Sequence, residues 1–169
     1  MTRPEVVLIG SPGAGKSSVG RRVADTLGVG FVDTDRVIEA ETGMSIADIF
    51  VDRGEDAFRD LEADAVVRSL DSTEGVLALG GGAVMRAETR ERLAGHRVVW
   101  LKVSLADAAH RVGMNQARPL LLGNVRGTLA ALLEQREPVY SSIASAVVDT
   151  AGHSVRQVAD EVVKVVRGE

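Results

Sequence analysis

Val6-Val7-Leu8-Ile9-Gly10-Ser11-Pro12-Gly13-Ala14-Gly15-Lys16-Ser17 is the stretch that decides the fold. Four apolar residues in a row, three of them β-branched, suit a short strand buried on both faces, as in a parallel sheet. The eight residues after it match G-x-x-x-x-G-K-[ST], the phosphate-binding loop. The order has a physical reason. Glycines let backbone N–H groups curl round an anion, and the helix that follows adds its N-terminal partial charge. Lys16 would reach the β- and γ-phosphates, and the Ser17 hydroxyl would ligate Mg²⁺. Gly13, Ala14, Gly15, Lys16, Ser17 and Ser18 form the expected nucleotide cradle, so ATP or GTP is the expected ligand.

Outward from this loop, strand and helix patterns alternate. Val19, Val23 and Leu27 repeat every four residues, one face of a helix that Gly28 would stop. Phe31-Val32 read as a second strand ending at Asp33. Helical text then runs from Asp35 to Leu70, broken at Gly43 and Gly54, with Ser45 as an N-cap. Val76 to Leu79 form a third strand leading into Gly80-Gly81-Gly82. Val98 to Val103 form a fourth and Val147-Val148 a fifth. Arg136 ends a leucine-rich helical stretch. Ser154 and Gln157 read as a capping box for a last helix with a stripe of Val155, Val158, Val162, Val165 and Val166. The segment from Gly113 to Gly127, rich in glycine and asparagine around Leu120-Leu121-Leu122, is expected to be a lid or binding loop.

Composition narrows the function. The chain has 169 residues and no internal repeat or linker, which suits one domain, 1–169. It has no cysteine, which excludes disulfides, thiolate catalysis and iron–sulfur clusters. A net charge of −4 and 3% aromatics argue against a nucleic-acid partner. No apolar run approaches the roughly 18 residues of a membrane span, and the N-terminus lacks the pattern of a signal peptide. The expectation is a cytoplasmic protein with no membrane partner.

The phosphate loop does not say what receives the phosphoryl group. Asp33-Thr34-Asp35 stands at a strand end, where ligands of open α/β sheets bind. Asp33 is the expected metal-linked carboxylate, with Asp35 better placed to cap the helix that follows. Arg59, Arg118 and Arg136 with the glycine turn suit a small acceptor bearing hydroxyls and a carboxylate, because arginine grips a carboxylate bidentately and aspartate accepts from hydroxyls.

With these residues the chain resembles the shikimate kinases over nearly its whole length. The resemblance rests on the phosphate loop, Asp33-Thr34-Asp35-Arg36-Val37-Ile38-Glu39, and the run Gly43 to Glu62 with Phe58-Arg59. Leu79-Gly80-Gly81-Gly82, Arg118-Pro119-Leu120-Leu121 and Arg136-Glu137-Pro138-Val139-Tyr140 complete it. It implies a three-layer α/β P-loop fold: a central five-stranded parallel sheet, order 2-3-1-4-5, flanked by helices, with a mobile lid at about 113–124 and acceptor-binding helices at about 35–62. It also implies Mg²⁺-dependent transfer of the ATP γ-phosphoryl to the 3-hydroxyl of shikimate, on the chorismate route to aromatic amino acids, by a monomer. Carried over by motif, Lys16, Asp35 and Arg118 are the expected catalytic residues. Asp35, Arg59, Gly80, Gly81, Gly82 and Arg136 are expected to bind shikimate, the glycines by letting backbone N–H groups approach it. Arg111 is expected to pack on adenine, Ser17 and Asp33 to hold the metal, and Glu62 to brace Arg59. Two other readings stand at this point: a related small-molecule kinase such as gluconate kinase, and a nucleotide-binding regulatory module without turnover.

Overall fold

The computed structural model describes residues 3–114 and 125–169. Five strands, β1 (Val6–Ile9), β2 (Phe31–Asp33), β3 (Val76–Ala78), β4 (Val98–Lys102) and β5 (Ala146–Asp149), form one parallel sheet in the order β2-β3-β1-β4-β5. This is the expected order. Register pairs Leu8 with Ala78 on one side and with Val99 on the other, so β1 lies at the centre with both neighbours bonded. All four residues of β1 are buried, as a strand covered on both faces requires.

Eight helices surround the sheet in the described residues: α1 (Lys16–Leu27), α2 (Thr34–Thr42), α3 (Ile46–Arg53), α4 (Glu55–Ser72), α5 (Ala87–Leu93), α6 (Leu105–Met114), α7 (Val125–Ile143) and α8 (Val155–Arg167). Gly28 stops α1 in the left-handed conformation, its N–H reaching Ala24 and Asp25 carbonyls. Gly43 and Gly54 end α2 and α3, and Ser45 caps α3 through the Asp48 N–H. Between β3 and β4, where the sequence pattern gives no element, a 3₁₀ turn (Ala83–Met85) and α5 fill the crossover.

Alternate residues of the strands feed two cores. Val6, Leu8, Val99 and Leu101 pack with Val19 and Val23 of α1 and Val158 and Val162 of α8. Val7, Ile9, Leu77 and Trp100 pack with Val66 and Leu70 of α4. A satellite core of Ile38, Ile49, Phe58 and Ala65 binds α2, α3 and α4 together. The capping box at Ser154 and Gln157 is present. The buried stripe of α8 is Val158, Ala159, Val162 and Val163, whereas Val155 at the helix start is 43% exposed. Helical periodicity finds the buried side of α8 but not where along it burial begins.

Arg136 does not end its helix. α7 runs on through Pro138 to Ile143. A proline there removes one backbone hydrogen bond, and burial of Val139, Tyr140 and Ile143 against the second core offsets the loss. Leu129 and Leu133 of the same helix lie in the first core. α7 therefore passes from one core to the other, and Arg136 sits on the crossing. Gly113 and Met114 close α6, and Val125 to Gly127 open α7. Both ends of the segment expected to be a loop are thus helical. The rest of the expected lid, Arg118 included, lies outside the described residues.

Candidate active site

Because all five strands are parallel, the C-terminal ends of β1, β2 and β3 open on one edge of the sheet, where the phosphate loop, Asp33 and Gly80 follow them. Gly13 and Gly15 both take positive φ, 83° and 86°, which turns the loop back on itself before α1 begins. The ammonium of Lys16 donates to the loop's own carbonyls, Gly10 at 2.7 Å and Ser11 at 3.1 Å. The cation is thus held over the anion cradle. The exposed Arg111 donates from Nη1 to the Gly13 carbonyl at 2.8 Å, adding a second cation to the rim of the loop. Ser18 is exposed on the first turn of α1.

Asp33 has two roles. Its Oδ1 accepts from the Asp35 N–H at 2.9 Å, making Asp33, not Asp35, the N-cap of α2. Its Oδ2 accepts from the Ser17 hydroxyl, also at 2.9 Å. The helix starts one residue earlier than expected, at Thr34, so the cap moves with it. A carboxylate has two oxygens, and capping leaves one turned to Ser17. Two hard oxygen donors side by side suit Mg²⁺, which takes few protein ligands and completes its shell with phosphates and water. No group of three or more His, Cys, Asp or Glu side chains able to hold a metal occurs among the described residues.

The residues expected to bind the acceptor, with Glu62, converge on the triple glycine. A Cβ placed on Gly80 would lie 2.8 Å from Glu62 Oε2 and 2.9 Å from Asp35 Oδ1. One on Gly81 would lie 3.1 Å from Arg136 Nη1 and 3.0 Å from Cδ of Pro12 in the phosphate loop. One on Gly82 would meet the Arg59 guanidinium at 2.6 Å. None of the three has the positive φ that demands glycine. They are glycine because five side chains close over them, a reason the sequence does not reveal. The turn is anchored from below by Thr34, fully buried, whose Oγ1 accepts from the Gly80 N–H at 3.3 Å.

Arg59 and Arg136 come from different helices and reach the same turn. Arg59 is held by Glu62, Nη1 to Oε1 at 2.7 Å, as expected from a spacing of three. Its guanidinium also lies 5.2 Å from the Phe58 ring centroid. Arg136 is buried, at 6% exposure. The sequence reading gave no role to Thr34 or Tyr140. Tyr140 stands four residues after Arg136, one helical turn along the same face, and that spacing was the available signal.

Glu62 is 2% exposed. Burial raises its carboxyl above the ordinary value; the Arg59 charge and hydrogen bond oppose this, the Asp35 charge adds to it, and the Arg136 charge opposes it. Its folded pKa thus lies above its unfolded one. The folded state then holds this proton more tightly, so Glu62 costs stability as pH rises from the unfolded toward the folded pKa. Below the folded pKa the neutral acid no longer offers Arg59 an anion. The KM for the phosphoryl acceptor is therefore expected to rise as pH falls through the Glu62 titration. In Glu62→Gln it should be elevated and flat over that window. A KM–pH profile at saturating ATP checks this; an unchanged acid limb in the variant would remove Glu62 from the explanation.

Residues 12–167 match the family model for shikimate kinase. The chain belongs to the shikimate kinase family. It is 54% identical to the shikimate kinase of Thermobifida fusca over 96% of this chain and 95% of that protein. It is 51% identical to that of Mycobacterium bovis over 87% and 84%. The solved shikimate kinase of Acinetobacter baumannii in complex with shikimate superposes with a TM-score of 0.94 at 34% identity, covering 99% of this chain and 94% of that one. A gluconokinase from Sinorhizobium meliloti superposes at 0.62 with 21% identity, a likeness of fold alone. As a shikimate kinase the chain is an ATP-dependent phosphotransferase acting on a hydroxyl of shikimate, with Mg²⁺. No helix among the described residues is long and apolar enough to cross a membrane.

Proposed function

We propose that the chain transfers the γ-phosphoryl of ATP to the 3-hydroxyl of shikimate, with the roles divided as follows. Arg59 and Arg136 grip the shikimate carboxylate from two helices. Asp35 hydrogen-bonds the ring hydroxyls, orients the attacking one and accepts its proton. Gly80, Gly81 and Gly82 form the floor, where the missing side chains let these groups and the acceptor approach one another. Gly13, Ala14, Gly15, Lys16, Ser17 and Ser18 hold the triphosphate, and Arg111 packs on adenine. Ser17 and Asp33 hold Mg²⁺, which when bound neutralises β- and γ-phosphate charge. Arg118, carried by the family motif and outside the described residues, brings a further cation to the transferring group.

The observation that carries this reading is the convergence of Asp35, Glu62, Arg59 and Arg136 on a glycine turn that also touches Pro12 of the phosphate loop. An anion grip, a hydroxyl acceptor and a phosphate cradle share one wall, the arrangement in-line transfer needs. With the family membership, the proposal extends to a single-domain monomeric enzyme of the cytoplasm.

The test is a coupled assay with ATP, Mg²⁺ and a panel of acceptors. ADP release should depend on shikimate and give shikimate 3-phosphate by phosphorus NMR. ADP release indifferent to shikimate, or phosphate on another hydroxyl, would defeat the assignment of Asp35.

A further inference from the structure

Tyr140 is fully buried, and its ring lies 5.8 Å from that of Trp100 in the second core. Its hydroxyl donates to the Gly81 carbonyl at 2.5 Å. Arg136 stands one turn back on the same face of α7. Arg136 Nη1 also lies 3.1 Å from where a Gly81 Cβ would be. A buried phenol needs a partner for its proton and has lone pairs left to accept. Here the proton goes to the glycine turn against which the arginine packs. Burial pushes the phenol up to about 12, against the opposing Arg136 charge, so it stays a donor across the working range of pH.

We propose that Tyr140 is a positioning residue for the acceptor: it pins the Gly81 carbonyl, and so fixes the turn against which the Arg136 guanidinium is set toward the acceptor carboxylate. An arginine on a long stem is free to turn, and a bidentate grip requires its plane to be set before the ligand arrives. Glu62 sets the plane of Arg59 from an adjacent turn of α4. Among the described residues Arg136 forms no ion pair, and it is set instead against the turn that the neutral phenol holds. A second carboxylate there would neutralise the site; a phenol orients the arginine and leaves its charge for the ligand.

The inference rests on Arg136 meeting the shikimate carboxylate, and the experiment separates the two. KM for shikimate, KM for ATP, kcat and melting temperature are measured for the full chain and for Tyr140→Phe, Arg136→Lys and the double variant. Tyr140→Phe should raise the KM for shikimate about tenfold, the usual effect of one lost buried hydrogen bond. Its KM for ATP should stay within about twofold. In the Arg136→Lys background the same change should have less than about twofold effect, because the group it orients is gone. A full tenfold effect in that background, or equal effects on both substrates, means that Tyr140 only supports the fold, and the inference fails. If Arg136→Lys itself leaves the KM for shikimate unchanged, the carboxylate assignment fails instead. Should Tyr140→Phe not fold, 3-fluorotyrosine at position 140 keeps the shape while strengthening the donor and weakening the acceptor. It should shift the KM for shikimate and not that for ATP; no shift overturns the inference.

Discussion

Lys16→Ala is expected to lower kcat about a thousandfold or more while the protein stays folded. Removing one preorganised donor from developing negative charge costs about 10²–10³ in kcat, and here a full positive charge goes with it. In the structure the ammonium is bonded to the Gly10 and Ser11 carbonyls at the mouth of the phosphate loop, only partly buried. Water can replace it on those carbonyls, so the fold gives up little. The melting temperature should move by less than about 4 °C, the size of a change near 1 kcal/mol for a domain of this length. Steady-state kinetics and thermal unfolding on the same sample decide it. Turnover within tenfold of the parent would show that another cation carries the charge; a large drop in melting temperature would show that lysine holds the loop together.

Arg136→Ala should weaken shikimate far more than ATP. Truncating one partner of a buried charge pair costs about 2–5 kcal/mol, which is at least about thirtyfold in KM at 1.4 kcal/mol per decade. The buried position of Arg136 puts it in the regime where solvent screens little. The effect has a second, independent signature. The Arg136 charge is one of the influences lowering the Glu62 carboxyl. Without it Glu62 should titrate at higher pH, and the acid limb of the shikimate KM profile should move upward with it. Equal loss for both substrates, with no movement of that limb, would place Arg136 outside the carboxylate grip.

The sheet was legible from sequence to within a residue at most strand ends, because a strand buried on both faces must be written in consecutive apolar residues. Val6–Ile9 is such a run and β5 a weaker one, with Val147 half exposed at the sheet edge. The strand order came from the family resemblance, since no local pattern encodes which strands are neighbours. The site residues were legible one by one, but their arrangement was not. Gly80, Gly81 and Gly82 read as a turn, and only the structure shows each one filled by a named side chain from α2, α4 or α7. Asp33 illustrates a different limit. Cap and metal ligand looked like alternatives in the sequence, yet a carboxylate with two oxygens serves Asp35 N–H with one and faces Ser17 with the other. The end of α7 shows another limit: Arg136 reads as the end of its helix, and the long-range packing of Tyr140 carries the helix on through Pro138 to Ile143.

That α7 is moored at Leu133 in one core and at Tyr140 in the other bears on how this enzyme can diverge. Surface connections elsewhere tolerate added or lost residues at small entropic expense. Between those two moorings a single inserted or deleted residue would swing everything beyond it by about 100° about the helix axis. Either Tyr140 or Leu133 would then face water. Sequence drift along this span is confined to substitution, and its length is as much a part of the catalytic apparatus as the arginine it carries.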